Sequence, residues 1–388
     1  MPIINRIAAF HDEMTAWRRE LHAHPETAFQ EHRTADYVAA KLTEFGIPID
    51  RGLAGTGVVG TIKRGDGPAI GLRADMDALH IHEANGFGHK SQNAGKMHAC
   101  GHDGHTTMLL GAARYLAEAG RFAGTVHLIF QPAEETEGGG RKMIEDGLFR
   151  KFPVQEVYGM HNWPGTAVGR FAVRAGPMLA ATDTFEIVVT GKGGHAAMPH
   201  TVIDPVLAAA NIITALQQIA SRNTHPVDSA VVSVTQIHAG DAWNVIPEQV
   251  LLRGTARAFK PAVRDMVERR MKEVVDGIAA AHGATATYMY KRNYPPTVNH
   301  ERETEIAARA AATVVGEANV DRNPMPTMGG EDFAFMLEQK PGCYIFIGNG
   351  PSDGGRVLHS PHYDFNDEVL PIGASYWATL VEQVLPAG

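Results

Sequence analysis

The sequence predicts an α/β protein of two domains, a larger one built on an open sheet flanked by helices and a smaller α+β one inserted into it. Three observations carry this. At 388 residues the chain exceeds the roughly 250–300 residues at which one hydrophobic core usually stops growing. Compact apolar stretches at 69–72, 125–130 and 156–160 each run directly into polar or charged residues, as buried strands of open α/β sheets do at the ends that carry their sites. Between Thr182 and Tyr290 the pattern changes to strand, helix, strand, strand, helix, strand, the order of a ferredoxin-like unit. The larger domain is therefore expected over 1–178 and 293–388, and the inserted one over 179–292.

Ile4, Ile7, Phe10, Met14, Trp17 and Leu21 recur at helical spacing, giving one opening helix that stops near His24-Pro25. A second helix covers 34–45 and is closed by Gly46. Strands at 57–62 and 69–72 follow, the latter leading into Arg73-Ala74-Asp75-Met76-Asp77. Asp75 there is either a turn carboxylate or one that orients a metal-binding histidine.

The run Met97-His98-Ala99-Cys100-Gly101-His102-Asp103-Gly104-His105 concentrates ligand types in a chain that has only two cysteines. Cys100 and His102, two apart, suit adjacent ligands. A helix begins after Asp103, and its N-terminus favours a thiolate. A structural knuckle or a satisfied polar turn is the other reading of this run.

Strand 125–130 ends in Gln131-Pro132-Ala133-Glu134-Glu135, adjacent acids of which one can ligate a metal while the other moves a proton. Strand 156–160 ends in His161. In the inserted domain, strand 182–190 leads to a Gly-rich loop with His195 and His200, followed by helix 206–219, strands 230–237 and 249–258, helix 262–281 and strand 285–290. Helix 301–315, the Met328-Gly329-Gly330-Glu331-Asp332 loop, strand 343–347, the Leu358-His359-Ser360-Pro361 loop and a final helix 368–384 complete the chain.

Composition bounds the function. An apolar share of 44% and a charged share of 20% describe an ordinary globular protein. A net charge of −8 without a basic stripe argues against a nucleic-acid partner. No apolar run is long enough to span a membrane and no signal peptide is apparent. Two distant cysteines, Cys100 and Cys343, do not form a disulfide framework, which suits a reducing cytoplasm.

Taken together, Arg19 to Glu26, Arg73 to Leu79, Met97 to His105, Gln131 to Glu135, Gly193-Gly194-His195-Ala196, Asn244-Val245-Ile246-Pro247, Met328 to Asp332, Gly342-Cys343-Tyr344 and His359-Ser360-Pro361 resemble the aminoacylase/carboxypeptidase amidohydrolases. The resemblance is greatest to the branch of hippurate hydrolases, N-acetyl-amino-acid deacetylases and indoleacetyl-amino acid hydrolases. It covers essentially the whole chain; one departure is His80, where the family commonly has proline.

The resemblance implies a zinc-exopeptidase-like catalytic domain with a mixed central sheet, and an inserted lid that mediates a homodimer or a dimer-based oligomer. It implies two divalent ions (zinc, manganese, cobalt or nickel) held by Cys100, His102, Glu135, His161 and His359. Glu134 falls on the catalytic position, Asp75 behind the ligands, and His195 on a histidine that reaches the reacting carbonyl. Asn244, Gly329 and Gly330 fall on substrate contacts. The activity implied is metal-assisted hydrolysis of an N-acyl amino acid, with a dipeptidase or carboxypeptidase acting on short peptides as the alternative. A zinc deaminase is excluded, because the chain has no Cys-x-x-Cys.

Overall fold

The computed structural model describes residues 3–387 and separates into two compact units. One takes the chain up to Met178, Val298–Met325 and the stretch from Asp332 onward; the other is Leu179–Thr297 with Pro326–Glu331. The second unit reaches beyond the expected residue 292 because its last strand continues to Tyr294.

The first unit is organised by an eight-stranded mixed sheet. Its first strands are β1 (Ile49–Leu53), β2 (Gly57–Arg64), β3 (Ala69–Asp75), β4 (Gly124–Gln131), β5 (Glu156–Trp163) and β6 (Phe171–Ala172). The spatial order is β1, β2, β4, β3, β5, then Gly342–Gly348, β6 and Val320–Asp321. β3 pairs in parallel with β4 and β5, and β5 with Gly342–Gly348. β3, β4 and β5 are buried along nearly their whole length, which explains their unbroken apolar runs. β1, an edge strand with exposed Arg51 and Gly52, has no such run and escapes the sequence pattern.

The helix His102–Glu118 is buried on almost every side. It packs on the final helix Leu370–Val384, where a Cβ at Gly373 would collide with the Met108 side chain, so glycine is needed for the close approach. The expected single opening helix is two, Asn5–Ala8 and His11–Ala23. Ile7 and Phe10 are both buried in the core, and sequence spacing alone gives no sign of the break between the two helices.

The second unit has a four-stranded antiparallel sheet in the order Ala230–His238, Gln249–Ala258, Ala181–Thr190, Thr285–Tyr294. Strand Ala181–Thr190 alternates buried and partly exposed residues, as a sheet covered on one face requires. Its inward Phe185, Ile187 and Val189 share a core with Ile212 and Leu216 of helix Pro205–Gln218 and Val267 and Met271 of helix Pro261–Ala281. The first of these helices starts at Asp204, whose carboxylate accepts the Val206 and Leu207 amides at 2.8 and 3.2 Å, a conventional N-cap. Buried Arg264 binds both oxygens of buried Asp183, which also accepts the Tyr290 hydroxyl at 2.7 Å.

Candidate metal centre

The parallel strands β3, β4 and β5 deliver their following residues to one edge of the sheet. Asp75 closes β3, Glu134 and Glu135 follow β4, and His161 lies near the end of β5. The Cys100–His102 turn enters the same place. Ligand atoms of Cys100, His102 and His161 lie within 4.8 Å of one another, as do those of Cys100, Glu135 and His359, and of His102, Glu134 and Glu135. All five expected ligands and the expected base therefore belong to one cluster in the first unit.

Gly101 makes the turn possible. Its φ is +99°, and a Cβ there would strike the Asn162 side-chain amide and come within 2.5 Å of the Tyr363 hydroxyl. That amide donates to the Cys100 carbonyl at 2.6 Å and the Tyr363 hydroxyl donates to Asn162 Oδ1 at 2.7 Å, clamping the turn. His161 donates from Nδ1 to the Asn162 carbonyl at 2.7 Å, leaving Nε2 at 3.3 Å from Cys100 Sγ. Burial, reinforced by His105, holds the His161 pKa well below the usual histidine range, so it is a neutral donor.

His359 reaches the cluster from a left-handed backbone, φ +63°. Its amide donates to the Ala99 carbonyl at 2.7 Å and its Nε2 lies 3.4 Å from Glu135 Oε1. Its side chain is 53% exposed against 8% for Glu135, making it the open side of the cluster.

Asp75 corrects an expectation. The carboxylate behind ligand His102 is Asp77, whose carbonyl and Oδ1 lie 2.8 and 3.2 Å from His102 Nδ1. Asp75 instead accepts from His105 Nδ1 at 2.6 Å. His105 Nε2 in turn accepts the Asn162 amide at 3.0 Å, so both nitrogens of His105 are engaged and it is a support. Asp77 Oδ2 also accepts the Glu135 amide at 3.0 Å, tying the two-acid loop to His102.

The sequence pointed to no part in the site for Arg73, and to Asp332 only as an acid suited to a helix start. Arg73, 1% exposed, donates to Asp75 Oδ2 at 2.6 Å, to Gln131 Oε1 at 2.9 Å and to Asp332 Oδ1 at 2.9 Å. The Asp332 amide lies 3.4 Å from Glu134 Oε1. The one advance signal for this network was the crowding of charge at the end of a buried strand. His195 and Asn244 lie in the second unit, joined in one ribbon where the Ala196 amide donates to the Asn244 carbonyl at 3.0 Å. Gly329 and Gly330 belong to the same unit.

The residues present fit divalent metal. Burial, then the carboxylates of Glu135, Glu134 and Asp75, push the Cys100 thiol well above its usual range, against the thiolate expected from the helix N-terminus alone. Although burial opposes it, Asp75 and Asp77 drive His102 up to about 10. Buried His102 Nε2 and Glu135 Oε1 have no hydrogen-bond partner. An excess of negative donors with orphaned ligand atoms calls for cationic charge at this point, and mixed sulfur, nitrogen and oxygen ligation suits zinc, manganese, cobalt or nickel.

Residues 71–383 match the peptidase family M20/M25/M40. The chain is 41% identical over 386 residues to the hippurate hydrolase of Campylobacter jejuni, covering 99% of this chain and 100% of that protein. To the N-acetylcysteine deacetylase of Bacillus subtilis it is 42% identical over 380 residues, covering 97% and 98%. Among solved structures, the Bacillus subtilis YXEP protein, described as a dinuclear metal-binding peptidase of the M20 family, matches with a TM-score of 0.86 at 38% identity, covering 98% of this chain and 100% of that one.

Proposed function

Because the chain belongs to peptidase family M20/M25/M40, we propose that it hydrolyses the amide bond of N-acyl amino acids, releasing a carboxylic acid and a free amino acid. The observation that carries this reading is the convergence of Cys100, His102, Glu135, His161 and His359 around Glu134, in a chain about 40% identical throughout to a hippurate hydrolase and an N-acetylcysteine deacetylase.

Those five side chains would hold two divalent ions, which when bound polarise the acyl carbonyl and lower the pKa of water. Glu134 acts as the base. It takes a proton from the attacking water as the water oxygen bonds to the carbonyl carbon, then passes that proton to nitrogen as the C–N bond breaks. The Asp332 amide beside Oε1 and the Asp77 hold on the Glu135 amide support a fixed division of labour, with Glu135 ligating and Glu134 moving the proton.

In the second unit, the Ala197 amide donates to His195 Nδ1 at 3.1 Å, which places the imidazole proton on Nε2. His195 is thereby prepared as a donor to the carbonyl oxygen as charge develops on it. Asn244 binds the substrate carboxylate, and Gly329 and Gly330 line the substrate. Assembly as a homodimer or a dimer-based oligomer through the second unit, and a cytoplasmic location, complete the reading. Both cysteines are free, and among the described residues no helix is long and apolar enough to cross a membrane.

The test is a panel run on metal-reconstituted protein, with N-acetyl, N-benzoyl and indoleacetyl amino acids beside simple dipeptides. Turnover of acylated amino acids is expected. Activity confined to dipeptides would overturn the proposal in favour of a peptidase.

A further inference from the structure

Among the described residues, four non-glycine positions have positive φ, and two of them, Phe29 (58°) and Ala133 (55°), are held by one carboxylate. L residues hold this backbone region only where the surroundings keep them there. Glu31 is fully buried. Its Oε1 accepts both the Phe29 amide and the Ala133 amide at 3.0 Å, and its Oε2 accepts the Thr56 hydroxyl at 2.7 Å.

Glu31 stands at the N-cap position of helix His32–Glu44 yet makes no side-chain bond to that helix. Among the described residues no cation pairs with it, and the carboxylate of Asp77 adds to the burial that raises its pKa. Burial pushes its pKa up to about 7. A carboxylate kept in such a place is there for its acceptor geometry, and what it accepts is the amide of the residue that turns the chain into Glu134 and Glu135. The Ala133 carbonyl is held from the other side by the Gly139 amide at 2.9 Å, so the turn is pinned at both ends.

We propose that Glu31 is a positioning residue for the catalytic base: by holding the left-handed turn at Ala133 it sets the directions in which Glu134 and Glu135 leave the strand. This rests on the assignment of Glu134 as base. It adds to that assignment a residue 102 positions from Ala133 in sequence that is not among the candidate ligands.

The test uses the full chain loaded with metal, comparing Glu31→Ala, Glu31→Gln, Ala133→Gly and the double variant Glu31→Ala/Ala133→Gly. Glutamine keeps one oxygen for the two amides and offers an N–H to Thr56, so Glu31→Gln should stay within about threefold of the parent. Glu31→Ala should lose about 10²-fold in kcat, the scale of an ångström-level misplacement, with KM nearly unchanged. Glycine at 133 adopts the turn without strain, so the double variant should regain at least about tenfold over Glu31→Ala. Visible absorption of the cobalt(II)-substituted protein, which reads ligand geometry independently of turnover, should shift in Glu31→Ala and not in Glu31→Gln.

Unchanged kcat and spectrum in Glu31→Ala would overturn the proposal, and so would a loss that neither glutamine nor Ala133→Gly repairs. Should Glu31→Ala fail to fold, the double variant and Glu31→Gln carry the comparison by the same criteria. Glu134→Gln, assayed in parallel, separates the two claims: retained turnover there defeats the assignment of the base, whereas loss there with none in Glu31→Ala defeats only the positioning role.

Discussion

Replacing Gly101 by alanine should damage the metal centre more than the fold around it. Two costs combine. An alanine forced into the left-handed region costs roughly 1–2 kcal/mol, partly offset by about 0.4–1 kcal/mol of reduced freedom in the unfolded chain. The new methyl group must also displace the Asn162 amide and the Tyr363 hydroxyl, an overpacking cost of about 1–3 kcal/mol. The sum is about 1–5 kcal/mol against a typical total of about 5–15 kcal/mol. Gly95 supplies the control, since its φ is +77° and nothing lies within 4 Å of its Cβ position. Gly95→Ala should therefore show the backbone cost alone, about 1 kcal/mol. Urea unfolding followed by tryptophan fluorescence reads the first unit, where Trp17 and Trp377 are buried at 5% and 1% exposure while Trp243 of the second unit is fully exposed. Metal content after dialysis reads the site. Gly101→Ala should lower both, because the displaced Asn162 side-chain amide holds the Cys100 carbonyl and His105 Nε2. The reasoning is refuted if Gly101→Ala is no less stable than Gly95→Ala and binds metal as the parent does.

Glu134→Gln should keep both metals and lose about 10²–10⁴-fold in kcat; near-parental turnover on the preferred substrate would remove it as the base. For Cys100→Ala, metal content measured after dialysis should fall, and an undiminished content would count against thiolate ligation. His195→Ala should cost about 10²–10³-fold in kcat, the scale of one lost oxyanion donor, with the metal content of the protein unchanged. His22 gives a pH dependence: although burial lowers its pKa, Asp103 and Glu83 raise it to about 9. Its folded value lies above its unfolded one, so its stabilisation is complete below about pH 6.5 and is lost as pH rises through about 9. Urea midpoints of the parent should fall across that window, and those of His22→Gln should fall less.

The candidates Glu134, Glu135 and His161 were legible because they sit where buried strands stop, and a buried apolar run ending in acid or histidine is visible without any fold. What sequence could not rank were neighbours of like chemistry. Asp75 and Asp77 lie two apart on the same strand exit, so periodicity treats them alike. Only the folded backbone gives His102 to Asp77 and His105 to Asp75. Arg73 and Asp332 are 259 positions apart, and Glu31 meets Thr56 and Ala133 from 25 and 102 positions away; no local pattern records such pairings. The edge strand Ile49–Leu53 was silent for the opposite reason, having too little buried surface to leave an alternation. The helix terminus beside Cys100 is a local property that sequence displays, whereas burial and the three carboxylates that raise its pKa come from elsewhere in the fold.

The proposed ligands Cys100, His102, Glu135 and His161 precede the second unit in the chain, and His359 follows it. A ribosome releasing this chain from its N-terminus therefore makes four donors, then the whole of another unit, before the fifth exists. An ion captured early would meet an incomplete set and would have to close a very long loop to complete it, at an entropic cost that grows with loop length. This is the reverse of a zinc finger, whose short ligand spacing lets the metal drive folding. Ligand spacing this long favours a polypeptide that folds before it is metallated.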